Sequence, residues 1–154
     1  MLKEIVENGY YSFADEFDNC RDAIRKSYQP LLEENVVEPI YIDSVIQCVE
    51  KYGPYIVIVP NIAMPHSTEG AQGCHGTAIS FMHVNKPVDF DSFDPDKKAK
   101  LFFSLAAVDH EKHLENIQAL MDVLMNEELV DELLKAESKA DLEKIASQYE
   151  GENV

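Results

Sequence analysis

The chain has 154 residues, 17.4 kDa and 45% hydrophobic side chains, a size and composition that suit one globular domain over residues 1–154 with a sizeable core. Thirteen basic and 29 acidic side chains leave a net charge of −16, which repels phosphate backbones and argues against nucleic acid as a partner. No basic leader followed by an apolar run opens the sequence, and no apolar stretch approaches the roughly 20 residues of a membrane helix, so a cytoplasmic chain without direct membrane insertion is expected.

In chain order, Tyr10 to Phe13 is expected to form a short strand. Asp15 to Leu32 follows as a helix, with Phe17, Cys20, Ile24, Tyr28 and Leu31 at three- and four-residue spacing. The next helix is predicted over Pro39 to Tyr52. Its proline suits a first turn, Ile42, Val45, Ile46 and Val49 form its apolar face, and Gly53-Pro54 stops it. Tyr55 to Val59 is a β-branched run of the kind found in a strand covered on both faces.

Thr77 to Val84 and Lys100 to Val108 are two further predicted strands. Between them, Asn85 to Phe90 suggests a turn leading into a short edge segment, and Asp91 to Lys98 a charged loop. A helix from Asp109 to about Met125 directs Leu114, Ile117, Leu120, Met121 and Leu124 inward. Glu127 to Lys135 is a shorter helix, and Ser138 to Asp141 caps a last one ending near Tyr149. This mixture predicts an α/β sandwich, a mixed central β-sheet flanked by helices on both faces.

The chemistry concentrates at Met64-Pro65-His66. Proline fixes its own φ and holds the preceding residue extended, so His66 is presented by a stiff exit from a strand. Neutral imidazole needs little activation near pH 7, with an ordinary pKa of about 6.5. His66 is therefore a candidate for covalent catalysis. Forty-seven residues on, His113 stands in the first turn of the predicted helix and shares the stripe of Ile117 and Leu120.

The segment Gly53-Pro54-Tyr55-Ile56-Val57-Ile58-Val59-Pro60-Asn61-Ile62-Ala63-Met64-Pro65-His66, with the block Asp109-His110-Glu111-Lys112-His113-Leu114, resembles the mannitol/fructose-type enzyme IIA domains of the bacterial sugar phosphotransferase system. The likeness leans towards the ascorbate branch and runs from roughly Asp15 to Ala146. It implies that His66 accepts a phosphoryl group from the phosphocarrier HPr and hands it to a cysteine of enzyme IIB. It also implies that His113 donates a hydrogen bond to the phosphoryl oxygens, and that the membrane enzyme IIC is an indirect partner. No cofactor is implied, and the sugar is not named by this chain.

Many mannitol-type members carry an arginine before the central strand. The only arginines here are Arg21 and Arg25, and Glu50 with Lys51 occupies the matching stretch, which makes Lys51 a candidate replacement. Ser67 and Thr68 offer hydroxyls and amides to phosphoryl oxygens. His110 is assigned to the surface of the helix end, His75 to a flexible loop and His83 to a structural place on its strand. Met64, Ile62 and the Ser67 to Gly76 loop are expected to rim a shallow docking depression. Cys20, Cys48 and Cys74, an odd set without C-x-x-C spacing, fit packing roles in a reducing compartment. Two alternatives stay open: a regulatory phosphoprotein of the same fold, and a metal-dependent hydrolase using His66, His110 and His113.

Overall fold

Leu101-Phe102-Phe103 lies in the middle strand of a five-stranded mixed sheet in the computed structural model, which describes residues 1–149. In chain order the elements are α1 (Leu2–Asn8), β1 (Tyr11–Ala14), α2 (Cys20–Glu33), α3 (Pro39–Tyr52), β2 (Val57–Val59), β3 (Asn61–Ala63), β4 (Ala78–Asp89), β5 (Lys98–Ala106), α4 (His110–Leu124), α5 (Glu127–Lys135) and α6 (Lys139–Gln148). The strands lie in the order β1-β4-β5-β3-β2. Antiparallel β4 and β5 face Phe81 to Phe103, β1 runs parallel to β4, and β3 runs parallel to β5.

Alternation along the strands sends side chains into two cores, one on each face of the sheet. Phe81, Leu101, Phe103 and Leu105 pack with Leu2 and Ile5 of α1, Leu120 of α4, Leu133 of α5 and Leu142 of α6. Met82, Val84, Phe102 and Ala106 pack on the other side with Ile24, Tyr28 and Leu31 of α2 and Val45 and Ile46 of α3. Each fully buried side chain of this size contributes on the order of 1.5–3 kcal/mol. His83 is buried with its Nε2 2.9 Å from the Leu134 carbonyl, so it ties β4 to α5.

Four elements differ from expectation, the first being α2, which begins at Cys20 behind the Asn19 cap and not at Asp15. α1 was not predicted; Leu2 and Ile5 bury one short face and Gly9 closes the helix at φ 72°, which glycine adopts without steric cost. The run expected as one covered strand from Tyr55 to Val59 is instead an edge hairpin. Val57 pairs with Ala63 across the turn at Pro60, Asn61 takes φ 75°, and Val59 is 46% exposed. Proline lacks a donor and Asn tolerates the left-handed region, so Pro60-Asn61 turns the chain where β-branching alone suggests continuation. Finally, β4 does not end in a turn after Val84. It continues to Asp89 and pairs Val88 with Ala99 beyond an irregularity in register, and a bulge of this kind accommodates Pro87 within a strand.

Candidate functional site

The site forms where the chain leaves β3. Nearly every backbone polar group from Met64 to Ser67 has a fixed partner. The Met64 amide donates to the Ile56 carbonyl at 2.7 Å, and the Pro65 carbonyl accepts from the Leu105 amide at 2.9 Å and the Tyr28 hydroxyl at 2.8 Å. Tyr55 donates its hydroxyl to the His66 carbonyl, and the Ser67 amide donates to the Tyr41 hydroxyl at 3.2 Å. The stiff exit expected from Pro65 is thus held by one sheet strand, the turn before β2 and two helices.

His66 turns its ring back on the chain, with Nδ1 2.6 Å from the Met64 carbonyl. A carbonyl only accepts, so Nδ1 carries the proton and Nε2 keeps its lone pair. The Tyr55 ring meets the imidazole at 5.2 Å and 88°, and the His113 ring centroid lies 5.4 Å from that of His66 at a tilt of 40°. Asp109 caps α4 by accepting from the Lys112 amide at 2.8 Å, which sets the first turn and brings His113 over His66.

A cavity of about 450 Å³ opens between them, lined by Tyr41, His66, Ser67, Thr68, Gly70, Ala71, Ala107, Asp109, His110 and His113. Burial lowers the pKa of His66 below the ordinary 6.5, against the Met64 carbonyl that raises it, and His113 lowers it further. Burial and then the nearby His110 lower His113 in the same direction. Burial pushes the Tyr41 hydroxyl up to about 12, so it remains a neutral donor and acceptor. Two neutral imidazoles and several hydroxyls suit acceptance of an electrophilic, oxygen-rich group.

The depressed histidines fix a pH dependence. The unfolded chain binds protons near pH 6.5 while folded His66 and His113 bind them only at lower pH, so their contribution is complete above about 6.5 and is lost as pH falls through that value towards the folded pKa. Urea unfolding of the native chain and of His66→Gln, followed from pH 7.5 to 5, is expected to show the native midpoint falling more steeply. Equal slopes for the two proteins would contradict the depressed pKa of His66.

Several expected placements change. His110, assigned to the helix surface, is exposed there as expected, at the first residue of α4 behind the Asp109 cap, and also lines the cavity. Lys51 does not reach the cavity; its ammonium lies 3.2 Å from Glu69, whose carboxylate also accepts from Tyr52 at 2.6 Å. Met64 and Ile62 are not rim residues: both are buried in the core under the sheet. The exposed apolar groups beside the cavity residues are instead Val108, 46% exposed, and Leu114, 51% exposed. His75 pairs with Glu38 at 3.0 Å outside the cavity, while Ser67 and Thr68 do line it. Tyr41 and Tyr55 were not singled out. Helical spacing makes Tyr41 look like core and β-branched neighbours make Tyr55 look like strand, so neither hydroxyl was legible. Among the described residues, no three His, Cys, Asp or Glu side chains group as metal ligands would.

The family described as "Phosphoenolpyruvate-dependent sugar phosphotransferase system, EIIA 2" matches residues 4–149. The chain belongs to this family, and is accordingly an EIIA component of a sugar phosphotransferase system, a phosphotransferase that relays phosphoryl groups. It is 32% identical over 130 residues to the ascorbate-specific PTS system EIIA component of Escherichia coli strain K12, covering 84% of this chain and 83% of that one. The solution structure of the mannitol-specific cryptic phosphotransferase enzyme IIA from Escherichia coli superposes with a TM-score of 0.83 at 30% identity, over 96% of this chain and 98% of that one. The complex of Escherichia coli enzyme IIA mannitol with phosphorylated enzyme IIB mannitol shares the fold, at TM-score 0.76 and 24% identity over 90% and 94% of the two chains. Among the described residues no helix is long and apolar enough to cross a membrane.

Proposed function

We propose that the chain is a single cytoplasmic enzyme IIA domain of an ascorbate-type system, which takes a phosphoryl group from phospho-HPr on Nε2 of His66 and passes it to a cysteine of enzyme IIB. The observation that carries this reading is the Nδ1 contact of His66 with the Met64 carbonyl, which leaves Nε2 as the free nucleophile beside a second imidazole. The ascorbate assignment follows the name of the curated relative, and the IIB partner follows the mannitol complex. Enzyme IIC is reached through IIB, and no cofactor takes part.

In this mechanism Nε2 attacks phosphorus in line, while the Met64 carbonyl keeps the Nδ1 proton in place. His113 donates to the phosphoryl oxygens, and the Ser67 and Thr68 hydroxyls line the other side. Phosphoryl transfer asks mainly for positioning and charge stabilisation, which this arrangement supplies without a further acid or base. Val108 and Leu114, next to the cavity, give HPr and IIB an apolar surface small enough to release after each transfer.

The test is a relay assay in which the phosphorylated chain meets a panel of IIB domains. Label should move to an ascorbate-type IIB and stop when that domain's acceptor cysteine is replaced. His113→Ala is expected to keep the fold and slow the transfer roughly ten- to a thousand-fold, the range for losing one preorganised donor. Transfer to no IIB domain, or an unchanged rate in the His113 variant, would defeat the corresponding part of the reading.

A further inference from the structure

The cavity around His66 receives a group that carries close to two negative charges, yet no lysine or arginine lines it. Four cations of the neighbouring helices are paired elsewhere. Lys51 lies 3.2 Å from Glu69, Lys112 3.3 Å from Glu115, Arg21 3.1 Å from Glu50 and Arg25 3.6 Å from Asp22. The phosphorylated His66 ring, with Nδ1 still protonated, offsets one of these charges, and the net negative charge that remains in a partly dry cavity is costly because it loses water without gaining a partner. Apart from His66 itself, the lining groups able to become cationic are His110 and His113.

We propose that phosphorylation of His66 is coupled to the uptake of one solvent proton by His113, so that a second imidazolium faces the phosphoryl group only while that group is present. This rests on His66 as the phosphoryl acceptor. In the transfer step the bond from phosphorus to the donor's imidazole nitrogen breaks and its electron pair stays with the donor. That donor ring leaves neutral because its other nitrogen carries a proton. The new bond joins phosphorus to Nε2 of His66, whose Nδ1 keeps its proton in the hydrogen bond to the Met64 carbonyl, so this ring takes on the positive charge that the donor ring gives up. Separately, a proton from water binds the free ring nitrogen of His113. It is released when the phosphoryl group departs to a thiolate.

The groups facing His113 favour this assignment. From the strand exit comes His66, 5.4 Å away between ring centroids, and from α3 the Tyr41 hydroxyl, which stays neutral. On its own helix are Asp109, whose carboxylate is occupied by the Lys112 amide, and His110. Before phosphorylation, burial, the neighbouring imidazole and the positive helix start all keep His113 neutral. The arriving dianion reverses that balance. His110 is exposed at the first residue of α4, where water already solvates it, and its repulsion of a charged His113 limits the uptake to one proton.

The experiment is an NMR titration of the histidine rings in the free chain and in the chain phosphorylated with phosphoenolpyruvate, enzyme I and HPr. The His113 midpoint is expected to rise by one to three units on phosphorylation, on the order of the shift an opposite charge induces at this range. The His110 midpoint should move less. A His113 midpoint that stays put, or a larger rise at His110, overturns the proposal while a phosphoryl resonance on His66 leaves the relay reading intact. Label on another residue overturns both. As a second measurement, the equilibrium share of phosphoryl group held by this chain against HPr should rise more steeply with falling pH in the native protein than in His113→Gln. Equal slopes would also overturn it, and a merely structural role for His113 would give equal slopes.

Discussion

His66→Ala is expected to take up no phosphoryl group from phosphoenolpyruvate, enzyme I and HPr, where the native chain takes up one that is acid-labile and base-stable. The loss should be complete because no other group in the cavity combines a free lone pair with the same fixed approach. His113 is held on a helix, and the hydroxyls of Ser67 and Thr68 have no imidazole or carboxylate within their own hydrogen bonds: Ser67 Oγ is 3.0 Å from Ser44 Oγ and 3.7 Å from Cys48 Sγ and accepts from the Glu69 amide at 3.1 Å, while Thr68 Oγ1 donates to Cys48 Sγ at 3.6 Å. The fold should survive. His66 is only partly buried, and its one side-chain hydrogen bond is to a carbonyl two residues away. Circular dichroism unchanged alongside absent label is the expected pair of results, and full labelling of the alanine variant would move the chemistry to another residue.

Tyr28→Ala is expected to cost about 3–5 kcal/mol of stability, as for other large buried aromatics. The side chain is fully buried between α2 and the sheet, and its ring meets Tyr41 edge-on at 5.8 Å. Tyr28→Phe separates packing from polarity. It keeps the ring but strips a hydroxyl that lies 2.8 Å from both the Pro65 and the Leu105 carbonyls, with an expected loss of about 1–3 kcal/mol. Because Pro65 precedes His66, the proposed phosphoryl acceptor, the phenylalanine variant should also transfer more slowly. Denaturant midpoints and single-turnover labelling of both variants provide the check. A phenylalanine variant that labels at the native rate would show that the Pro65 carbonyl needs only the Leu105 amide to hold it.

Helical periodicity was legible where a face is plain and its ends are punctuated: Pro39 and Gly53 bracket α3 at the bounds expected. It was less legible in α1, where two buried side chains give too short a pattern. Strand signals marked the residues but not their pairing. Nothing in Tyr55 to Val59 says that it lies at the sheet edge, since that depends on the hairpin with β3. At the site, the sequence named both imidazoles and the proline, because each is a local statement of chemistry and stiffness. It could not show that Met64 faces the core, that Lys51 is taken by Glu69, or that His110 also lines the cavity. Those outcomes depend on residues 18 and more positions apart meeting in space.

The clamps on the backbone from Met64 to Ser67 bear on reversibility. A relay component must receive and surrender the same group, and any rearrangement on arrival would have to be undone on departure. Partners drawn from the turn before β2, from β5, α2 and α3 hold His66 in one geometry before any partner docks. A cradle shaped in advance lowers the barrier in both directions by the same amount. The direction of net flow is then left to the relative energies of the phosphorylated carriers on either side, so a relay through this site can run near equilibrium.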